Sequence, residues 1–223
     1  MQNRMRVNKK LLTTINYVSV VFFIVGVGGF LSSAVCTFVA MSGNPRVTTW
    51  ARFPLGDLGS LGVDSKGNLY CGSIFYCRIQ VYSPQGEFIR GWFLNSGGGT
   101  FQIEIDKEEK LHVHTARGNK YFIFSKEGKL LHKEIPWSGE ISSLGSFFKN
   151  DYTGNDGNTY TIRHHWYLPI VVKTNAKGKD SVIVSDPFFL WLLNGPFPVF
   201  FWIVLAVILR AVKYKISGKL WGS

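Results

Sequence analysis

Two long apolar stretches stand near the ends of this 223-residue chain, over residues 16–41 and 188–209. The first stretch holds no charged residue, and about 25 helical residues reach ~37 Å, more than the ~30 Å hydrocarbon core of a bilayer. It therefore predicts a transmembrane helix. A cleaved signal peptide is the alternative, since Arg4–Lys10 resembles its basic start and small residues stand at 32–34. Against cleavage, the apolar run continues beyond Ala34.

The second apolar stretch is less regular than the first. Asn194-Gly195-Pro196-Phe197-Pro198 interrupts it, and proline is tolerated in a helix mainly near its start. Two arrangements stay open: a short interfacial element over Phe188–Leu193 followed by a helix that starts near Pro196 and runs beyond Leu209, or one kinked span. We expect residues 188–209 to hold the interfacial element and the second transmembrane helix.

Positive charge is concentrated in the two tails. The formal net charge is +11, yet all 14 acidic residues lie between Asp57 and Asp186, and each tail carries only basic charges. Lys and Arg beside a membrane span stay on the cytoplasmic side and attract anionic lipid. The pattern predicts cytoplasmic tails at 1–15 and 210–223, and an extracytoplasmic domain at 46–186. It gives no support for a nucleic-acid partner.

Small residues recur four positions apart in the first apolar stretch, pairing Gly28 with Ser32 and Gly29 with Ser33. This spacing lets another helix approach closely, so we predict a helix-packing face toward the second span or a partner subunit. The alternative is that Gly and Ser are simply common in membrane helices.

The central domain contains an internal repeat. Residues 62–89 align without a gap onto residues 104–131, so that Asp64, Leu69, Ser83 and Gly86 fall on Asp106, Leu111, Ser125 and Gly128. A looser third copy begins at Gly157-Asn158-Thr159-Tyr160 and needs an insertion. In the first copy we predict strands around Leu61–Val63, Leu69–Gly72, Arg78–Tyr82 and Phe88–Trp92. The sequence thus predicts an all-β domain of about three four-stranded repeats, near 58–94, 100–136 and 141–186.

The first copy resembles a known family. Val63-Asp64-Ser65-Lys66-Gly67-Asn68-Leu69-Tyr70, followed by Arg78-Ile79-Gln80-Val81-Tyr82-Ser83, is similar to the NHL-type propeller repeat. The second copy departs where Glu109-Lys110 replaces the Gly-Asn turn, and the third lacks the Arg-Ile-Gln strand. The resemblance implies propeller blades. Closed propellers use four to eight blades, so three predict an open or partial propeller flanked by two transmembrane helices, either standing alone or completed by self-association or a protein partner.

Few side chains suggest chemistry. His112 and His114 alternate with apolar residues, so on a strand they share one face and could hold a metal, with His164 as a further ligand; ordinary surface histidines are the alternative. Cys71 and Cys77 flank a tight segment and could form a disulfide in an oxidising compartment, or could be two half-buried thiols. The sequence shows no phosphate loop, dinucleotide fingerprint or serine triad, so we predict no catalytic residue and no cofactor.

The leading hypothesis is a non-enzymatic, membrane-anchored protein-interaction module. It would act as an accessory, assembly or sensing subunit of a larger membrane complex. The alternatives are a metal-dependent propeller-type enzyme that uses His112, His114 or His164, and a component of a transporter.

Overall fold

The computed structural model describes residues 9–41, 49–135, 151–154, 156–165, 168–187 and 196–217. Two compact units contain them. One is a helical unit assembled from the two chain ends, Met1–Val35 and Phe188–Ser223, and the other is a β unit over Cys36–Pro187.

The β unit contains three four-stranded antiparallel sheets, each built from consecutive strands. Sheet 1 comprises β1 (Leu58–Val63), β2 (Leu69–Ser73), β3 (Arg78–Tyr82) and β4 (Phe88–Phe93). Sheet 2 comprises β5 (Phe101–Ile105), β6 (Leu111–Thr115), β7 (Lys120–Phe124) and β8 (Leu130–Glu134). Sheet 3 comprises β9 (Asp151–Thr153), β10 (Thr159–His165), β11 (Leu168–Thr174) and β12 (Asp180–Ser185). The predicted three four-stranded repeats are confirmed, and the arrangement is consistent with a partial propeller.

The repeat encodes the same turn twice. Ser83 Oγ accepts hydrogen bonds from the backbone N–H groups of Gln85 and Glu87, and Ser125 Oγ does the same for the matching residues of sheet 2. Gly86 and Gly128 follow at a φ of 86° each, a left-handed conformation that only glycine adopts without strain. These identical residues therefore set the β3–β4 and β7–β8 hairpins.

Sheet 1 lies between the other two sheets. One of its faces packs on sheet 2 through Tyr70, Ile79, Val81 and Trp92, which meet Phe101, Ile103, Leu111, Val113, Phe122 and Phe124. Its other face packs on sheet 3 through Leu58, Leu61, Leu69, Cys71 and Tyr82, which meet Tyr160, Ile162, Val171 and Val184. Strand β1 accordingly contacts both β5 and β9. The spatial order of the sheets is 3–1–2, which differs from their order along the chain.

The segments just before β1 and just after β12 are joined by hydrogen bonds. Asp186 Oδ2 accepts a hydrogen bond from the backbone N–H of Leu55 at 2.6 Å, and Asp186 Oδ1 accepts one from Arg52 Nη2 at 3.2 Å. The same Arg52 nitrogen donates to the carbonyl of Ser185 at 2.7 Å. The Asp186 side chain is only 3% exposed. We call this set, Arg52, Leu55, Ser185 and Asp186, the terminal clasp.

The helical unit contains α1 (Lys9–Met41) as far as Val35, together with α2 (Pro196–Ile216). Phe22 and Trp202 bring their rings within 5.0 Å between centroids, and Lys213 Nζ donates a hydrogen bond to Asn16 Oδ1 at 2.8 Å. In the described part of the chain, one helix is long and apolar enough to cross a membrane by length and composition, over Lys10–Val39. A second span in α2 stays a prediction, and the predicted interfacial element at 188–193 lies outside the described residues.

The predicted packing face of α1 is divided between two sides of the helix. Gly29 and Ser33 are buried, as is Ser19, whereas Gly28 and Ser32 are exposed. Buried positions 19, 26, 29 and 33 recur at intervals close to multiples of 3.5 residues, which is the period of a helix–helix seam. A role of this seam toward a partner subunit stays a prediction.

Candidate functional site

The face of sheet 2 that points away from sheet 1 carries most of the candidate chemistry. The register of β5 to β8 places eight side chains of this face in two rows across the strands. The rows are Glu104–His112–Ile123–His132 and Gln102–His114–Tyr121–Glu134. Their neighbours along each strand point into the core with sheet 1, because successive side chains alternate. We call these eight residues the outward face of sheet 2.

The outward face of sheet 2 differs in chemistry from its counterpart in sheet 1. At the 42-residue offset, His112 replaces Tyr70, His114 replaces Gly72 and Tyr121 replaces Ile79. In sheet 1 this face is buried against sheet 2. In sheet 2 the same fold positions carry hydrogen-bonding side chains, as expected of the end repeat of a stacked array.

His112 is held between a carboxylate and a phenol. Its Nε2 lies 2.7 Å from Asp106 Oδ2, and its Nδ1 lies 2.5 Å from the hydroxyl of Tyr121. Asp106 Oδ1 meanwhile accepts the backbone N–H of Lys110 in the β5–β6 turn. In sheet 1 the matching Asp64 also closes its turn, and its second oxygen lies 3.4 Å from the hydroxyl of Tyr70. In both repeats, therefore, the side chain of the turn aspartate points toward the residue six positions later in the sequence.

The proton positions follow from the electrostatics. Partial burial raises the pKa of Asp106, but hydrogen bonds from His112 and the Lys110 N–H outweigh it, so the pKa of this carboxyl is below its ordinary value. Burial, followed by the charges of Asp106, Glu104 and Glu134, raises the pKa of Tyr121. The ionised Asp106 carboxylate therefore accepts a hydrogen bond from His112 Nε2, and Tyr121 keeps its proton as a phenol beside Nδ1.

The three candidate metal ligands do not come together. His112 and His114 share one face as predicted, but both ring nitrogens of His112 are hydrogen-bonded, and His164 lies on β10 of sheet 3. Among the described residues, no group of three or more His, Cys, Asp or Glu side chains could hold a metal ion. The geometry suits hydrogen bonding to a ligand surface better than metal binding.

His114 is stacked on Tyr121, with 4.6 Å between ring centroids, and is 8% exposed. Burial, reinforced by the neighbouring His112, lowers the pKa of His114 to about 4. Its pKa in the unfolded chain is near 6.5, so the unfolded state binds the proton more readily as the pH falls from about 6.5 to 4. Neutral His114 therefore contributes fully to the free energy of unfolding above about pH 6.5, and this contribution is lost as the pH falls toward 4.

We therefore expect acidification from pH 7 to pH 4 to lower the melting temperature of the wild type more than that of His114→Gln. Thermal unfolding of the full-length chain in detergent, followed by near-ultraviolet circular dichroism, measures the difference. His132→Gln serves as the control because His132 is exposed on the same face. Equal pH dependence in the wild type and H114Q would show that His114 does not titrate as described.

Of the two alternatives for Cys71 and Cys77, a disulfide or two thiols, the structure has two free, buried thiols. Cys71 lies opposite Gln80 in the β2–β3 register and points into the core with sheet 3. Cys77 lies in the following turn at a φ of 48°, where Asn119 stands at 43° in sheet 2, and its Sγ accepts a hydrogen bond from Ser96. Burial raises the pKa of the Cys71 thiol, which keeps it protonated.

Sheet 3 ends the array on the other side. Thr159 and Thr161 of its outward face replace Leu69 and Cys71 of the matching buried face in sheet 1. A shallow groove of about 300 Å³ crosses this outward face and includes the exposed His164. Arg163 and Asp180 form an ion pair beside it at 2.6 Å. Both ends of the three-sheet array therefore carry polar substitutions.

Sequence reasoning missed Asp106 and Tyr121 as partners of His112. The signal was present in the alignment, where Asp106 matches Asp64 and His112 matches Tyr70. Using it required knowledge of where the turn carboxylate points.

Comparisons with known proteins give a fold likeness and no family. No family model matches the chain, and no curated protein matches it. Among solved structures, a streptogramin B lyase matches at 12% identity and a TM-score of 0.34, over 60% of this chain and 42% of that one. Virginiamycin B lyase from Staphylococcus aureus matches at 12% and 0.34, over 61% and 43%. A protein of unknown function from Bacteroides caccae matches at 13% and 0.32, over 56% and 48%.

This chain therefore spans less than half the length of each of these three structures. A likeness at this level carries no argument about what the chain binds or does.

Proposed function

We propose that this chain is a membrane-anchored, non-enzymatic protein-interaction module whose β unit faces the extracytoplasmic side. It serves as an accessory, assembly or sensing subunit of a larger membrane complex. The observation that carries the proposal is the outward face of sheet 2, where hydrogen-bonding side chains replace the apolar side chains of the same face in sheet 1.

Several features support a binding role over catalysis. His112 uses both ring nitrogens within the fold, and Tyr121 is held as a neutral phenol. Glu104 and His132 of the same face are exposed, so a partner could reach them. Rigid polar and aromatic side chains on a sheet are suited to specific recognition, because little side-chain freedom is lost on binding.

The membrane arrangement is part of the proposal. The α1 helix supplies one span, α2 supplies the second, and the basic tails keep both termini in the cytoplasm. The NHL-type resemblance of the first repeat supports a propeller-like blade for each sheet, so the array is an open propeller whose end faces are available to another protein.

Site-specific photo-crosslinking tests the proposal. The full-length chain would carry p-benzoylphenylalanine in place of Ile123, at the centre of the outward face of sheet 2, and would be irradiated in its native membranes. We expect a discrete protein adduct. The matched control places the cross-linker at Gln85, an exposed turn residue of sheet 1 outside that face. The proposal fails if position 123 gives no adduct or gives the same adducts as position 85.

A further inference from the structure

We propose that the groove between the outer strands of sheets 1 and 2 binds a small organic carboxylate, in which one anionic group is attached to an aromatic or aliphatic body. The groove has a volume of about 500 Å³ and lies between β4 on one side and β7 and β8 on the other. We call it the inter-sheet groove. Its volume is in the range of protein sites for small ligands. It is separate from the outward face of sheet 2, so the inference does not rest on the proposed function.

The floor of the inter-sheet groove is aromatic. Phe122 and Phe124 project from β7 toward sheet 1, and Trp92 projects from β4 toward sheet 2. The ring of Phe124 lies 6.0 Å between centroids from each of the other two rings. Beside them, Leu130 at the start of β8 is 47% exposed. An apolar ligand that covers these side chains removes their surface from water, which favours its binding.

The corresponding place on the other side of sheet 1 is filled by the chain itself. At the 42-residue offset Phe124 matches Tyr82, which is completely buried in the contact with sheet 3. The Arg52 guanidinium covers the ring of Tyr82, 5.6 Å from its centroid. In the contact of sheet 2 with sheet 1, Leu94 matches Arg52, but it is buried in the core and does not line the groove. The ring of Phe124 is therefore covered by the groove instead of by a charged side chain.

Two lysines at the rim of the groove supply positive charge. Lys133 stands opposite Phe122 in the register of β7 and β8 and so shares its face, and Lys129 lies in the turn before β8. Both lysines are exposed, and neither forms an ion pair with a residue that the structure describes. Glu127 lies on the same rim, but its carboxylate accepts a hydrogen bond from Ser125 of its own turn. The two ammonium groups therefore favour an anionic ligand.

The length of the groove favours a small molecule over a protein segment. At one end Asn95 is held by Lys120 Nζ, which donates to its carbonyl at 3.0 Å, and at the other end Phe124 precedes the β7–β8 turn. The four steps along β7 from Lys120 to Phe124 cover about 13 Å, which suits one ring with a short chain. The backbone N–H of Gly91 on β4 already donates to the carbonyl of Thr49, so an extended peptide cannot pair with β4 there.

Calorimetric titration of the purified full-length chain in non-ionic detergent with 4-phenylbutyrate tests the inference. The matched control ligand is 4-phenylbutyramide, which has the same size and no charge, and titration into detergent alone corrects for the heat of partitioning into micelles. We expect the carboxylate to bind at least about tenfold tighter than the amide, at one site per chain. Equal affinities, or no saturable binding of the carboxylate, would overturn the inference.

Variants locate the site. Lys129→Gln with Lys133→Gln should weaken binding by about tenfold or more, whereas Lys107→Gln with Lys177→Gln removes the same charge from exposed turns elsewhere and should change it less than about twofold. Leu130→Trp, at an exposed position of the groove, should block the ligand while both lysines remain. Thermal unfolding checks that the variants are folded. If the two double variants weaken binding equally, or if L130W binds like the wild type, the acid does not occupy this groove and the inference is wrong.

A peptide separates a small acid from a protein segment as the occupant. A pentapeptide blocked at both ends, with one phenylalanine between an aspartate and a glutamate, carries the same ring beside carboxylates. We expect it to bind more weakly than 4-phenylbutyrate in the same titration. Equal or tighter binding of the peptide that is lost in K129Q/K133Q would show that the groove receives a protein segment, and the inference of a small ligand would fail.

Discussion

Replacement of Gly86 by alanine is expected to lower the free energy of unfolding of the β unit by about 2–5 kcal/mol. The φ of Gly86 is +86°, and an L side chain held in the left-handed region costs about 1–2 kcal/mol. An added Cβ would also overlap the backbone carbonyl oxygen of Ile183 in sheet 3. A backbone atom cannot rotate away, so the sheets must separate, at a cost of about 1–3 kcal/mol.

Gly178→Ala is the matched control for this experiment. Gly178 has a similar φ of +76°, but an added Cβ there meets nothing within 4 Å. Its replacement should therefore cost only the backbone strain of about 1–2 kcal/mol. Thermal or denaturant unfolding of the two variants, followed by near-ultraviolet circular dichroism, gives the difference. Equal losses would mean that sheet 3 does not press on this turn, which would contradict the 3–1–2 order.

The second large effect is expected at the terminal clasp, where Asp186→Ala should destabilise the β unit by about 2–4 kcal/mol. The substitution leaves the buried backbone N–H of Leu55 without its acceptor, and such a group costs about 1–3 kcal/mol. It also removes the carboxylate from Arg52, which is a third exposed and recovers part of its hydration. Asp186→Asn retains an acceptor for Leu55 and should recover part of the loss.

Asp180→Ala distinguishes the terminal clasp from an ordinary ion pair. Asp180 pairs with Arg163 at 2.6 Å, but both side chains are nearly half exposed. Exposed pairs of this kind contribute little, so the melting temperature should hardly change. Comparable losses from D180A and D186A would show that burial of Asp186 adds nothing to the fold.

Turn chemistry explains why most strands could be predicted. The predicted strands Leu69–Gly72, Arg78–Tyr82 and Phe88–Trp92 match β2 to β4 to within one residue. Asp64 and Ser83 bond to backbone N–H groups two and four positions later, so local sequence alone fixes where these strands end and begin. Strand β1 begins earlier than predicted, at Leu58, where it pairs with Ser73 beyond an irregularity in the register.

The order of the sheets could not be predicted in the same way. A repeat gives each sheet the same two faces, and nothing local states whether sheet 3 packs on sheet 2 or on the free face of sheet 1. Thr159 and Thr161 indicate which face of sheet 3 is outward, since they stand where sheet 1 has the buried Leu69 and Cys71. The partners of His112 escaped prediction for a related reason, because Asp106 and Tyr121 reach it diagonally rather than through strand alternation.

The 3–1–2 order also has a consequence for how the protein is made. Sheets 1 and 2 can pack as soon as residue 134 has been synthesised, since all the residues of their shared core precede it. The other face of sheet 1, with Leu58, Leu61 and Leu69, stays bare until the strands of sheet 3 follow. Contacts so distant in sequence form slowly, and exposed apolar sheet faces promote aggregation. The newly made chain is therefore most vulnerable between the completion of its second sheet and the docking of its third.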